Sequence, residues 1–393
     1  MINLHEYIKN YRYSHPSFQG SGDGIVSDFF RRNSDLSNVI EICTTEVYPQ
    51  CLKIDGKENL VWDNTYWMLY KRFLFGVWRF SPQQTSIDDL SDFLESFQYL
   101  FLSLKLSKLP EYSYYFATQY HKLNRLIPNF QKTSYSKEER SLFGEQLYKQ
   151  VNEFAQWQVF LHELHHYSYR QNSAKFQHES EIVRSIFKQY HAVLSQIPED
   201  DPRNYDGFWN TYAYYANSEN PTVIEDICCD IFAIVDFVND FISKYSNNDN
   251  QSKEEMFLGY VSTIRYVVEM QRLFTHAEGR WTQVIQMFND MPNNKLNKEH
   301  YQSNHDKLMC VIRSRAGVVY SIAAHILGIN YTEIMQNNEL FDSDYYTNAL
   351  EKSLSDAYDS DSLGFVYVYL KTMAEKFSPM QFRSARDLLI GWY

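Results

Sequence analysis

Histidine, glutamate and histidine stand at 162, 163 and 166, inside the run Val159-Phe160-Leu161-His162-Glu163-Leu164-His165-His166-Tyr167. On a helix, about 100° per residue puts His162 and His166 only about 40° apart, one turn from each other on one face. Two imidazoles so placed can grip one Zn²⁺ from the same side. Glu163 falls about 100° round from His162, beside that face, where it can hold a water without acting as a ligand. Two nitrogen ligands, a water and a base are the parts of metal-assisted hydrolysis. The spacing therefore predicts His162 and His166 as metal ligands, Glu163 as catalytic base and one zinc ion per chain. His165 lies on the other side of His162 and is expected to bond locally, not to the metal.

A helix must carry this run, and the pattern from about Lys137 to Arg170 supplies one. Ser136 and Glu139 have the spacing of a capping box at its start. Phe154, Trp157, Leu161 and Leu164 fall on the side away from His162 and His166, so one face should pack while the other lines a cleft.

Two histidines hold zinc weakly, so a third ligand is needed, with acceptors behind the imidazoles. The segment Val223-Ile224-Glu225-Asp226-Ile227-Cys228-Cys229-Asp230-Ile231-Phe232-Ala233 offers three carboxylates in an otherwise apolar helix. Ile224, Ile227, Ile231, Ile234, Val235 and Val238 form its apolar face. Asp226 and Asp230 stack one turn apart beside Ala233 and Phe237, where carboxylates are costly without partners. Asp226 is expected as third ligand, and Asp230 as acceptor for a histidine N–H. Glu225 falls with Asp236 and Asn239 on the polar side and reads as solvent-facing, with the ligand role open to it as the alternative. A donor for a developing oxyanion is also needed. His276, Tyr214 and Tyr215 are candidates.

These residues resemble the zincin metallopeptidases. His162-Glu163-x-x-His166, followed on a later helix by a carboxylate-x-x-x-Asp, is similar to the gluzincin group, whose later helix carries Glu-x-x-x-Asp. Cys229-Asp230-Ile231-Phe232-Ala233 looks like the corresponding run of its intracellular prokaryotic and phage-associated members. The resemblance covers about Val151 to Val238 and implies a zinc-dependent peptidase acting on a protein or peptide, with a zincin-like active-site helix. Asp226 departs from the family's Glu and is about one methylene shorter.

The composition sets bounds. The 393 residues are 44% hydrophobic and 17% aromatic, with 13 glycines and 10 prolines. So few breakers in so long a chain favour helices, and the content argues for a packed globular protein. The expected fold is mainly α, a multi-helix globular protein with a small N-terminal β-hairpin or sheet. The hairpin is expected around Asp55-Gly56-Lys57, between runs at Thr45–Ile54 and Asn59–Trp62. Its edge is a candidate support for an extended substrate.

Three regions are expected: 1–135 with the hairpin and helices, 136–246 as the metal-binding core, and 247–393 as a C-terminal helical region. All three can equally form one continuous domain. The net charge of −12 and the lack of a basic run argue against nucleic acid. The apolar stretches are interrupted by charges, so no membrane partner is expected. Five cysteines without a C-x-x-C read as reduced thiols in a cytoplasmic protein. The expected function is a restricted-specificity intracellular peptidase, regulatory, defensive or toxin-like. The alternative is a non-catalytic helical interaction protein that retains a metal site.

Overall fold

The computed structural model describes residues 39–79, 86–126, 145–194, 196, 221–245, 265–282, 317–328, 344–356 and 360–390. These are mainly helical, with one small sheet. Strands β1 (Val39–Ile42), β2 (Gln50–Ile54) and β3 (Lys57–Asp63) lie in the order β1-β3-β2. β1 runs parallel to β3, and β2 runs antiparallel to it with Cys51 opposite Leu60. β2 and β3 are joined by Asp55 and Gly56, both at positive φ (53° and 76°). Such a two-residue turn matches the right-handed twist of the strands it joins.

Asp63 ends β3 and starts the first helix, α1 (Asn64–Arg79). Its carboxylate accepts the Thr65 N–H at 2.8 Å, as an N-cap does. It also accepts the N–H and hydroxyl of Thr44, which ties the segment before β2 to the same point. Helix α2 (Ile87–Lys105) opens with a capping box between Ser86 and Asp89. Helix α3 (Pro110–Leu126) starts on a proline, where the missing N–H costs nothing. Buried residues recur at helical spacing: Tyr66, Tyr70, Phe73 and Val77 on α1, and Leu90, Phe93, Phe97, Phe101 and Leu104 on α2.

The motif lies on α4 (Glu145–Gln171). The expected capping box at Ser136 lies outside the described residues. Asn172 separates α4 from α5 (Ser173–Leu194), and its side chain accepts the Lys175 N–H at 3.1 Å to cap the second helix. Helix α6 (Pro221–Tyr245) carries the acidic segment. Residues 265–282 form α7 and residues 317–327 form α8. Helices α9 (Asp344–Asp356), α10 (Ser360–Lys376) and α11 (Pro379–Ile390) complete the described chain.

Helix α7 has no break between Phe274 and Trp281. The helix runs through Gly279, because Ala277 and Trp281 are buried and Trp281 packs edge-on against Tyr112 and Phe116. That packing outweighs the roughly 1 kcal/mol that glycine costs inside a helix.

Two apolar clusters form, and α4 belongs to both. Ala155, Val159 and Phe160 join the first, with β3, α1, α2, α3, α7 and α9. Leu161 and Tyr169 join the second, with α5, α6 and α8. Leu164 packs against both. The first cluster draws described residues from all three expected regions. No described helix is long and apolar enough to cross a membrane.

Candidate metal centre

Where the two clusters meet along α4, a cavity of about 450 Å³ opens. Its lining includes Gln158, Val159, His162, Glu163 and His166 of α4, and Asp226, Asp230 and Ile234 of α6. Val267, Val268, Gln271 and Thr275 of α7 and Val319 and Tyr320 of α8 close the far side. Tyr48, Pro49 and Gln50, leading into β2, complete it.

One ligand atom each from His162, His166 and Asp226 lies within 4.8 Å of the others. Behind them, His162 Nδ1 is 2.8 Å from Asp230 Oδ1. His166 Nδ1 is 2.7 Å from Glu225 Oε1, and His166 Nε2 is 3.3 Å from Asp226 Oδ1. Each imidazole therefore has a carboxylate on Nδ1, which fixes its tautomer and leaves Nε2 for a cation. Asp226 is the most exposed of the five, its side chain 42% accessible, so it stands on the open side of the group.

Glu225 corrects the sequence reading. It does not face solvent: its carboxylate reaches back to His166 Nδ1 and stands where Asp230 stands for His162. Helical phase set it about 100° from Asp226, but a three-carbon side chain near the crossing of α4 and α6 spans that angle. The close group of ligand atoms takes in Asp226 and not Glu225.

Glu163 sits beside this group, and its Oε2 accepts the backbone N–H of Cys51 at 2.8 Å. Burial pushes the Glu163 carboxyl above its ordinary range, against the pull of His162, His166 and the Cys51 N–H. Burial alone would lower His166, but the bonds from Asp226 and Glu225 and the charge of Glu163 outweigh it and raise that imidazole to about 9. The centre draws positive charge, because four carboxyl groups meet there and no lysine or arginine is among the described lining residues. Two imidazoles and a carboxylate, backed by two further carboxylates, are a donor set suited to Zn²⁺.

β2 is an outer strand of the sheet, and Cys51 bonds it to α4. The Cys51 N–H goes to Glu163, and the Cys51 carbonyl accepts Arg170 Nη1 at 2.6 Å. At Cys51 the edge therefore orients the motif helix rather than offering itself to a substrate strand.

Other expected residues are distributed as follows. His276 is buried, 3.0 Å from Gln98 Oε1, and does not line the cavity, because it turns into the first cluster while Gln271 and Thr275 face the site. Tyr214 and Tyr215 lie outside the described residues. His165 is buried with Nε2 3.0 Å from Asp236. Sequence reasoning missed Tyr48, Tyr320 and Cys51. Cys51 acts through its backbone, which any residue type supplies, and two tyrosines among 32 give no signal.

No family model, curated protein or solved structure matches this chain.

Proposed function

We propose that the chain is a zinc-dependent peptidase that cleaves a protein or peptide substrate in the cavity beside α4. The reading is carried by the paired backing of the two motif histidines, Asp230 on His162 Nδ1 and Glu225 on His166 Nδ1. A solvated helix face with clustered histidines has no need of two such carboxylates, whereas a metal centre does. His162, His166 and Asp226 hold one zinc ion per chain. Bound there, zinc supplies Lewis acidity, which makes a water nucleophilic near neutral pH and polarises the scissile carbonyl.

The remaining steps belong to the chain's own residues. Glu163 takes the proton of the attacking water on Oε1, while the Cys51 N–H holds Oε2 in place. It then passes that proton to the leaving amine. Asp230 and Glu225 keep the imidazoles turned toward the cation. The cavity accepts a segment of peptide between α4 and the walls of α7 and α8. The thiols Cys43, Cys51, Cys228 and Cys229 are buried and form no disulfide, which fits a reducing, cytoplasmic location.

Zinc content and turnover test this together. The wild type should carry about one zinc by elemental mass spectrometry, and Glu163→Gln should carry as much while losing at least about 100-fold in peptide cleavage. Full cleavage by Glu163→Gln would remove Glu163 as the base. Wild type that takes up no zinc after reconstitution would remove the metal centre and favour a helical interaction protein.

A further inference from the structure

One wall of the cavity is not a helix. It is the strap Thr44–Gln50, which crosses from the end of β1 to β2 and contributes Tyr48, Pro49 and Gln50 to the lining. The strap is fixed at its start. Thr44 donates its N–H and hydroxyl to Asp63, and its Oγ1 accepts the N–H groups of Glu46 and Val47 at 3.2 and 3.3 Å. At its centre Val47 is fully buried with φ of 63°, a left-handed conformation that β-branched residues rarely adopt. A backbone held there needs its surroundings to keep it in place.

Lys105, in the last turn of α2, supplies that hold. Its Nζ donates to the Glu46 carbonyl at 3.0 Å and lies 3.2 Å from the Glu46 carboxylate. It also lies 3.0 Å from Glu278 Oε1 on α7, and 5.6 Å from the centre of the Tyr48 ring. One ammonium thus joins the strap to two helices, directly under the ring that lines the cavity. Tyr48 packs edge-on against Phe274 and tilted against Tyr66. These rings are a backstop on the core side, and from α2 Lys105 holds the strap's backbone at the Glu46 carbonyl. With a side chain 18% accessible, Lys105 is shielded enough for its contacts to outlast salt better than a surface pair.

We infer that Lys105 is a positioning residue that latches the Thr44–Gln50 strap, and that through Tyr48 it sets the width of the substrate cavity. Substrate affinity then depends on a residue that never touches substrate. The Cys51 N–H to Glu163 is fixed separately by the pairing of β2 with β3, so the base stays in place when the latch is lost. The kinetic half of this inference rests on the peptidase reading, and the structural half does not.

The test measures both halves on the full chain. Lys105→Met keeps the aliphatic stem, Lys105→Arg keeps the charge, and Glu278→Gln removes one of the two carboxylates. Hydrogen exchange of the peptide covering residues 43–51 should speed up about tenfold in Lys105→Met and return to near wild type in Lys105→Arg. With the fastest-cleaved member of a quenched fluorescent peptide pool as substrate, KM should rise about tenfold in Lys105→Met while kcat stays within about twofold. Glu278→Gln should show a smaller change in the same direction. Unchanged exchange in Lys105→Met overturns the latch. Faster exchange with unchanged KM overturns the link from strap to cavity. A wild type that cleaves no peptide, with exchange still faster in Lys105→Met and restored in Lys105→Arg, sinks the peptidase reading and leaves the latch standing.

Discussion

A neutral imidazole binds a cation through one nitrogen, so the partner of the other nitrogen decides how well it does so. His162 and His166 each have a carboxylate in that place, and the two carboxylates come from one turn and a half of the same helix. This separates the roles of three acidic residues and makes them measurable. Asp226→Ala removes the proposed third ligand and should weaken zinc binding by more than about 100-fold, whereas Glu225→Ala and Asp230→Ala remove only the carboxylates behind the imidazoles and should cost about 10- to 100-fold each. Competition with a chromogenic zinc chelator reads all three. Equal losses for Asp226→Ala and Glu225→Ala would mean the ligand and its neighbour were exchanged. The sequence carried much of this. His162, Glu163 and His166 announce themselves by spacing, and Asp230 by a carboxylate on a flank too apolar to leave it alone. Glu225 was legible only by a count that helical phase obscured: two histidines proposed as ligands need two acceptors, and Asp230 serves one.

Elements were easier to read than their neighbours in space. The turn at Asp55-Gly56, the start of α1 at Asn64 and the run of α6 from Pro221 follow from turn chemistry, capping and apolar period. Gly279 disfavours a helix locally but is overruled by Trp281, and only the folded chain shows where Trp281 packs. Gly76 is a glycine of a different kind. It lies within α1 against Phe93 of α2, and a Cβ there would sit 1.9 Å from Phe93 Cζ. Phe93 is buried and cannot swing aside. Gly76→Ala gains helix propensity of about 1 kcal/mol but meets a larger clash, so a net loss of about 2 kcal/mol is expected by urea unfolding. Gly76→Ala with Phe93→Leu, which vacates the space, should recover part of it. A stabilised Gly76→Ala would mean that α1 and α2 stand further apart.

At the scale of the whole molecule, α4 is the common wall of two apolar clusters, and the metal centre sits on the line where they meet. The proposed ligands come from α4, which belongs to both clusters, and from α6, which belongs to the second. In a chain of net charge −12, four carboxyl groups meet at this seam around the His162 and His166 imidazoles, and a divalent cation among them would offset more of their mutual repulsion than a protonated imidazole does. Zinc that binds the folded chain and not the unfolded one should therefore raise global stability, by about 2.7 kcal/mol when free zinc is 100 times its dissociation constant. In a chain of this size that corresponds to a thermal midpoint a few degrees higher. Dialysis against a chelator should lower the wild-type midpoint by that amount, and added zinc should restore it. Glu163→Gln should respond as the wild type does, since the base is not a ligand, and His166→Ala should not respond at all. Scanning calorimetry on the three proteins decides it. A wild-type midpoint indifferent to both chelator and zinc would leave the seam held by packing alone, and the carboxylates around it without the charge they are arranged to meet.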